Sequence, residues 1–140
     1  MNIYIVDASV AAKWFFEEAH TQNALGLLDG QNRLHAPDFF LLELYNLLCK
    51  RIRRGEISEN EAGEVRAALG QFPIQHHPFS TLLDPAYEIA NHTSRSLYDC
   101  LYVALATLLR GKMATADRKL YDALKSGPFA KQMLWIEDVG

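Results

Sequence analysis

The sequence predicts an α/β fold: a central, mostly parallel sheet covered by helices on both faces. Three observations carry this. Short strand candidates recur along the chain, at 3–6, 33–36, 74–76, 112–116 and 133–136. Longer helical patterns separate them, and parallel strands require such crossovers. The first run, IYIV, ends directly on Asp7, and open α/β sheets keep their sites beyond the carboxyl ends of the strands.

The elements follow in order. Residues 3–6 form a buried strand with a helix starting just after Asp7. The segment PDFFLLELYNLLCKRIRRG has Pro37 near its start and Gly55 as its stop, which is helix punctuation. SENEAGEVRAAL opens with Ser58 and Glu61, the spacing of a capping box. In DPAYEIANHTS, Asp84 is the expected N-cap and Pro85 the first helical residue. SLYDCLYVALATLLRG is apolar nearly all round and predicts a central buried helix. DRKLYDAL is a short helix after the fourth strand.

At 140 residues the chain reads as one domain over 1–140. Hydrophobic residues make up 49% and charged residues 22%, which fits a globular protein and excludes disorder. There is no basic segment leading into an apolar stretch and cleavage site, and no run long enough for a membrane span. Cys49 and Cys100 lack metal-ligand spacing and sit in apolar runs, so both are expected to be reduced core thiols of a cytoplasmic protein. The net charge of −3 does not advertise nucleic-acid binding. Charge is nevertheless segregated. Lys50, Arg51, Arg53 and Arg54 form one basic cluster, which serves either the helix C-terminus or phosphate contacts. Lys112, Arg118 and Lys119 form another.

Four acids stand in unusual company. Asp7 ends the first strand, where it is either a functional carboxylate or an N-cap, with Ser9 as a competing cap. Glu43 lies in FFLLELYNLL and shares a thin polar stripe with Asn46 and Lys50. Asp99 follows Ser96 by three residues, which suits a helix cap and the helix dipole. Yet that helix has almost no polar face, and a buried carboxylate without a partner costs several kcal/mol. Asp117 follows the strand KMATA, again as an N-cap candidate, with Thr115 on the same side of the strand. Asp122 and Asp138 lie in polar stretches and are read as surface residues. Each acid has an ordinary explanation alone. Two of them end strands, and neighbouring strands lie about 5 Å apart. Converging carboxylates without basic partners repel one another, and a hard divalent cation is the usual reason for tolerating that.

YIVDASVAAKWF, LLELYNLL, SLYDCLYVALA and ATADRKL together resemble the four signature blocks of PIN-domain nucleases, and within them the VapC toxins of type II toxin–antitoxin systems. The resemblance runs over nearly the whole chain. It implies a three-layer α/β/α sandwich and an endoribonuclease dependent on Mg²⁺ or Mn²⁺. It maps the acidic quartet onto Asp7, Glu43, Asp99 and Asp117, and small hydroxyl residues beside the acids onto Ser9 and Thr115. In that reading Asp7 and Asp99 ligate the metal directly, and Glu43 and Asp117 do so directly or through water. The implied partners are RNA, a VapB-type antitoxin and a second copy of the chain. Lys13, Lys50, Arg51 and Arg95 are the candidate RNA contacts, with a surface lysine the plainer reading of Lys13. A nuclease of RNA processing or DNA cleavage and a non-enzymatic interaction domain are the alternatives. A receiver domain would show an acidic pair at the first strand. A haloacid-dehalogenase-like phosphatase would have an acid at position 9, where this chain has Ser9.

Overall fold

The first strand of the chain lies at the centre of its sheet. The computed structural model describes residues 2–140. It contains β1 (Asn2–Val6), β2 (Asn32–Pro37), β3 (Ile74–His77), β4 (Lys112–Thr115) and β5 (Met133–Trp135) in the order β3-β2-β1-β4-β5. Every pairing is parallel. Seven helices connect and cover these strands: α1 (Ala8–Ala12), α2 (Thr21–Gly26), α3 (Phe40–Arg53), α4 (Glu59–Ala68), α5 (Leu83–Thr93), α6 (Leu97–Leu109) and α7 (Arg118–Leu124). None is long and apolar enough to cross a membrane among the described residues.

The sheet is apolar on both faces because both are covered. On one face Ile5 and Met113 pack with Phe40 and Leu44 of α3 and with the continuous buried run 100–106 of α6. On the other, Val6, Leu34 and Ala114 pack with Val10, Ala24 and Leu27. This is the three-layer sandwich. A satellite core of Leu48, Ile57, Ala62 and Val65 joins α3 to α4. Ser58 and Glu61 form the capping box that starts α4, and Gly55, at φ 71°, lets the chain leave α3.

Strand order decides where a site can form. From β1 the chain moves outward to β2 and β3, then returns to place β4 on the other flank of β1. The crevice between β1 and β4 is therefore the point at which the winding reverses, the usual ligand position in open sheets. Gly111 lets these strands meet. A Cβ there would lie 2.6 Å from Ile3 Cγ2 and 2.7 Å from the Ile3 carbonyl oxygen.

Four expectations are corrected. Pro37 closes β2 and does not introduce α3. Lacking an N–H, it is tolerated at the last position of the ladder. The fifth strand stops at Trp135, and Ile136 opens a 3₁₀ turn. Asp84 is not an N-cap: a 3₁₀ turn, Phe79–Leu82, runs straight into α5 and leaves Leu82 at the cap. Asp84 sits in the first turn, where an acid suits the helix dipole. Cys100 is buried, whereas Cys49 is exposed on the solvent side of α3.

Candidate active site

Asp7, Glu43, Asp99 and Asp117 line one open pocket of about 500 Å³. They arrive from four separate elements. Asp7 follows β1, and Asp117 lies two residues beyond β4, so both stand at the β1–β4 switch point. Glu43 comes from the first turn of α3 and Asp99 from the first turn of α6. Lys50 and Arg51 of the last turn of α3, its C-cap Arg54 and Glu56 just beyond also line the pocket.

The capping and pocket readings of these acids are compatible, because a carboxylate has two oxygens. Asp7 is the N-cap of α1. Its Oδ1 accepts from the Val10 N–H and the Ser9 hydroxyl, each at 2.9 Å. Asp117 caps α7 through Oδ1, which accepts from the Leu120 N–H at 3.1 Å. Glu43 Oε1 accepts from the Tyr102 hydroxyl. In each case the second oxygen has no hydrogen bond among the described residues. Asp99 is not itself the cap of α6. That is Ser96, whose Oγ accepts from the Asp99 N–H at 3.1 Å.

Electrostatics marks the same group. Burial pushes the Asp7 carboxyl above the ordinary carboxylate range; the Val10 and Ser9 hydrogen bonds oppose this, and the charges of Asp99 and Asp117 add to it. Glu43 is raised by burial, partly relieved by Tyr102, with Asp7 and Asp99 raising it further. Asp99 is raised by burial; Ser96 and Arg95 oppose that shift, and Asp117 reinforces it. The Tyr102 phenol is pushed far up by its burial and by Glu43, so it stays protonated and donates.

Among the described residues, no group of three or more His, Cys, Asp or Glu side chains is drawn tightly enough to form a metal cage by itself. The donor set nevertheless fits a hydrated hard cation. It is all oxygen, it is partly desolvated, and Asp7, Glu43 and Asp117 each keep one carboxylate oxygen without a hydrogen bond among the described residues. Mg²⁺ keeps several waters and is held through one or two carboxylates, so it does not need a closed cage.

The PIN-domain family model matches residues 4–125, which contain all four acids. The chain belongs to the PIN-domain family. Ribonuclease VapC3 of Pyrobaculum aerophilum is 33% identical to it over 118 residues, covering 83% of this chain and 90% of the relative. The crystal structure of PAE2754 from Pyrobaculum aerophilum superposes with a TM-score of 0.69 at 23% identity, covering 97% of this chain and 85% of that one. A toxin–antitoxin complex from Klebsiella pneumoniae gives 0.62 at 15% identity, covering 94% of this chain and 95% of that one.

Not every candidate lines the pocket of this PIN domain. Thr115 is fully buried beneath it, and its hydroxyl oxygen accepts from the Asp117 N–H at 3.0 Å, fixing the turn that carries that acid. Lys13 is no surface lysine. Only 9% exposed, it pairs with Glu18 at 3.3 Å. Arg51 reaches the pocket but is engaged: its Nη2 lies 2.9 Å from Glu18 and its guanidinium stacks over Phe16. Glu18 thus clips the loop after α1 to α3. Arg95 lies outside the lining, close enough to favour the ionised form of Asp99. Its Nε is buried without a hydrogen-bond partner among the described residues. The side chains of Lys50 and Arg54 line the pocket, and the Arg54 N–H donates to the Lys50 carbonyl at 3.1 Å as part of the helix end. Tyr102 was not among the sequence candidates. Its signal was position: three residues after Asp99, it shares a helix face with that acid.

Proposed function

We propose that this chain is a metal-dependent endoribonuclease and the toxin of a VapBC-type pair. The observation that carries this reading is the placement of four carboxylates from four elements around one pocket that is also lined by lysine and arginine from the C-terminal end of α3. Similarity to a protein named as a ribonuclease supports RNA as the substrate.

Asp7 and Asp99 would hold Mg²⁺ or Mn²⁺ directly, with Glu43 and Asp117 directly or through water. An ion held there would supply a coordinated water of lowered pKa and offset charge on the phosphate oxygens. The chain's own residues do the remaining work. Ser9 and the Val10 N–H fix Asp7, so that one carboxylate oxygen is turned toward the substrate. Thr115 steadies Asp117 through that residue's backbone N–H, and the Leu120 N–H holds the Asp117 carboxylate. Glu43 is placed to orient the attacking water. Lys50 and Arg54, both exposed, draw the RNA backbone along α3. Arg51 keeps the loop after α1 in place.

The partner reading rests on exposed apolar surface beside the acids. Leu42 is 72% exposed, Tyr98 65% and Tyr87 63%, on α3, α6 and α5. A homodimer and an antitoxin segment entering the groove would cover such surface, and the likeness to a toxin–antitoxin complex agrees.

Metal-free protein incubated with RNA tests the enzymatic reading. Cleavage is expected on adding Mg²⁺ or Mn²⁺ and is lost in EDTA. Equal cleavage in EDTA overturns it. Light scattering at tens of micromolar tests the dimer, and a monomer there counts against it.

A further inference from the structure

We propose that Tyr102 is a positioning residue for Glu43: its hydroxyl engages one carboxylate oxygen and leaves the other turned toward the acidic pocket. The part of this that concerns a divalent cation rests on the metal-dependent reading above.

The geometry is specific. Tyr102 lies three residues after Asp99 on α6 and so shares its face, and its hydroxyl reaches Glu43 Oε1 on α3. The bond therefore spans the two helices that carry two of the four acids. Tyr102 is 2% exposed, and its ring meets Phe39 edge-on at 5.3 Å. Packing on that scale holds the ring in place, with Tyr102 lining the acidic pocket beside Glu43. A phenol has one proton, so it occupies one oxygen of Glu43 and cannot satisfy both.

The choice of donor matters as much as its position. A lysine or arginine would hold Glu43 equally well, but it would also cancel the charge that a cation needs. A neutral hydroxyl fixes the carboxylate and leaves its full negative charge available. Glutamate also has one more rotatable bond than aspartate, so it has more freedom to lose when it must meet a ligand. Asp7 and Asp117 are held through backbone N–H groups at helix starts. Glu43 lies inside a helical turn and has no such anchor, and Tyr102 supplies the equivalent.

The test uses Tyr102→Phe in the full chain, with Mn²⁺ as the probe. Calorimetry without RNA should show Mn²⁺ binding weakened by about tenfold, the lower end for groups that orient metal ligands. At saturating metal, kcat for RNA cleavage should fall by a similar factor while KM stays within about twofold. In a Glu43→Gln background, Tyr102→Phe should change Mn²⁺ affinity by less than about twofold, because its effect passes through Glu43. Unchanged Mn²⁺ affinity in the single variant, or an equal loss in both backgrounds, overturns the proposal. Should Tyr102→Phe fail to fold, NMR of the parent decides. A slowly exchanging tyrosine hydroxyl proton that vanishes in Glu43→Ala is expected, and its absence from the parent overturns the proposal. A parent that holds this proton yet neither binds Mn²⁺ nor cleaves RNA refutes the metal-dependent reading and, with it, the role assigned to Tyr102.

Discussion

Asp7 has two functions on two oxygens, and two substitutions separate them. Asp7→Asn keeps a carbonyl oxygen for the Val10 N–H, now accepted at 2.9 Å. Asparagine also caps helices about as well as aspartate. Asp7→Ala loses that acceptor. Both remove the charge, so the difference between the variants isolates the cap, about 1 kcal/mol. A chain of 140 residues has an unfolding entropy of about 0.3 kcal/mol per kelvin. The alanine variant should therefore melt about 3 °C below the asparagine variant. The charge shows up against the parent. Burial and the neighbouring carboxylates raise the Asp7 carboxyl in the fold. The unfolded chain then ionises first, and stability is lost as pH rises from about 4 through the raised folded value. In chelator at pH 7, Asp7→Asn should melt above the parent, and the gap should close toward pH 4. It should also lose RNA cleavage by orders of magnitude. Thermal melts in EDTA at both pH values and a cleavage assay test the scheme. Equal melting of the two variants refutes the cap. An asparagine variant that melts below the parent at pH 7 refutes the buried-charge argument. Near-parental cleavage by that variant removes Asp7 from the site.

Asp99→Asn should also melt higher than the parent in chelator near neutral pH, because the Asp99 carboxyl is raised by burial and by Asp117. Added Mg²⁺ should stabilise the parent more than this variant, and an equal response would place Asp99 outside the metal site. Gly111→Ala puts a Cβ 2.7 Å from a backbone oxygen of the central strand. Overpacking of about 2–3 kcal/mol lowers the melting temperature by roughly 7–10 °C, and a change under 2 °C would show slack between β1 and β4. Glu18→Gln removes the negative charge that faces Lys13 and Arg51 and replaces one of the two acceptor oxygens they use with a donor. A cost of about 1–2 kcal/mol is expected for these partly exposed pairs, and a variant as stable as the parent would show that the clip does not hold the loop.

The sheet was legible because parallel strands buried on both faces leave continuous apolar runs, as in IYIV and MAT. The acids were legible because they interrupt such runs. What escaped depended on contacts distant in sequence. Lys13 read as a surface lysine because nothing local reveals that it lies beneath Glu18 and Arg51. Cys49 read as a core residue because its neighbours are apolar, although its own position on α3 faces solvent. Asp84 obeyed the local rule for a cap and lost that place to a 3₁₀ turn continuous with the helix. Tyr102 looked like one more apolar residue of a buried helix until Glu43 was seen beside its hydroxyl.

The sheet order has a consequence in time. β1 is synthesised well before its partner across the crevice, β4, with Val6 beside Ala114 roughly a hundred residues later. A growing chain carries Asp7 and Glu43 long before β4 (Lys112–Thr115) exists to seat Asp117. Such a distant pairing is also slow to form. The centre would therefore close only once β4 has been made, and fragments that stop short of β4 would be inert. For a chain that cuts RNA, that delay would protect the ribosome and message still producing it.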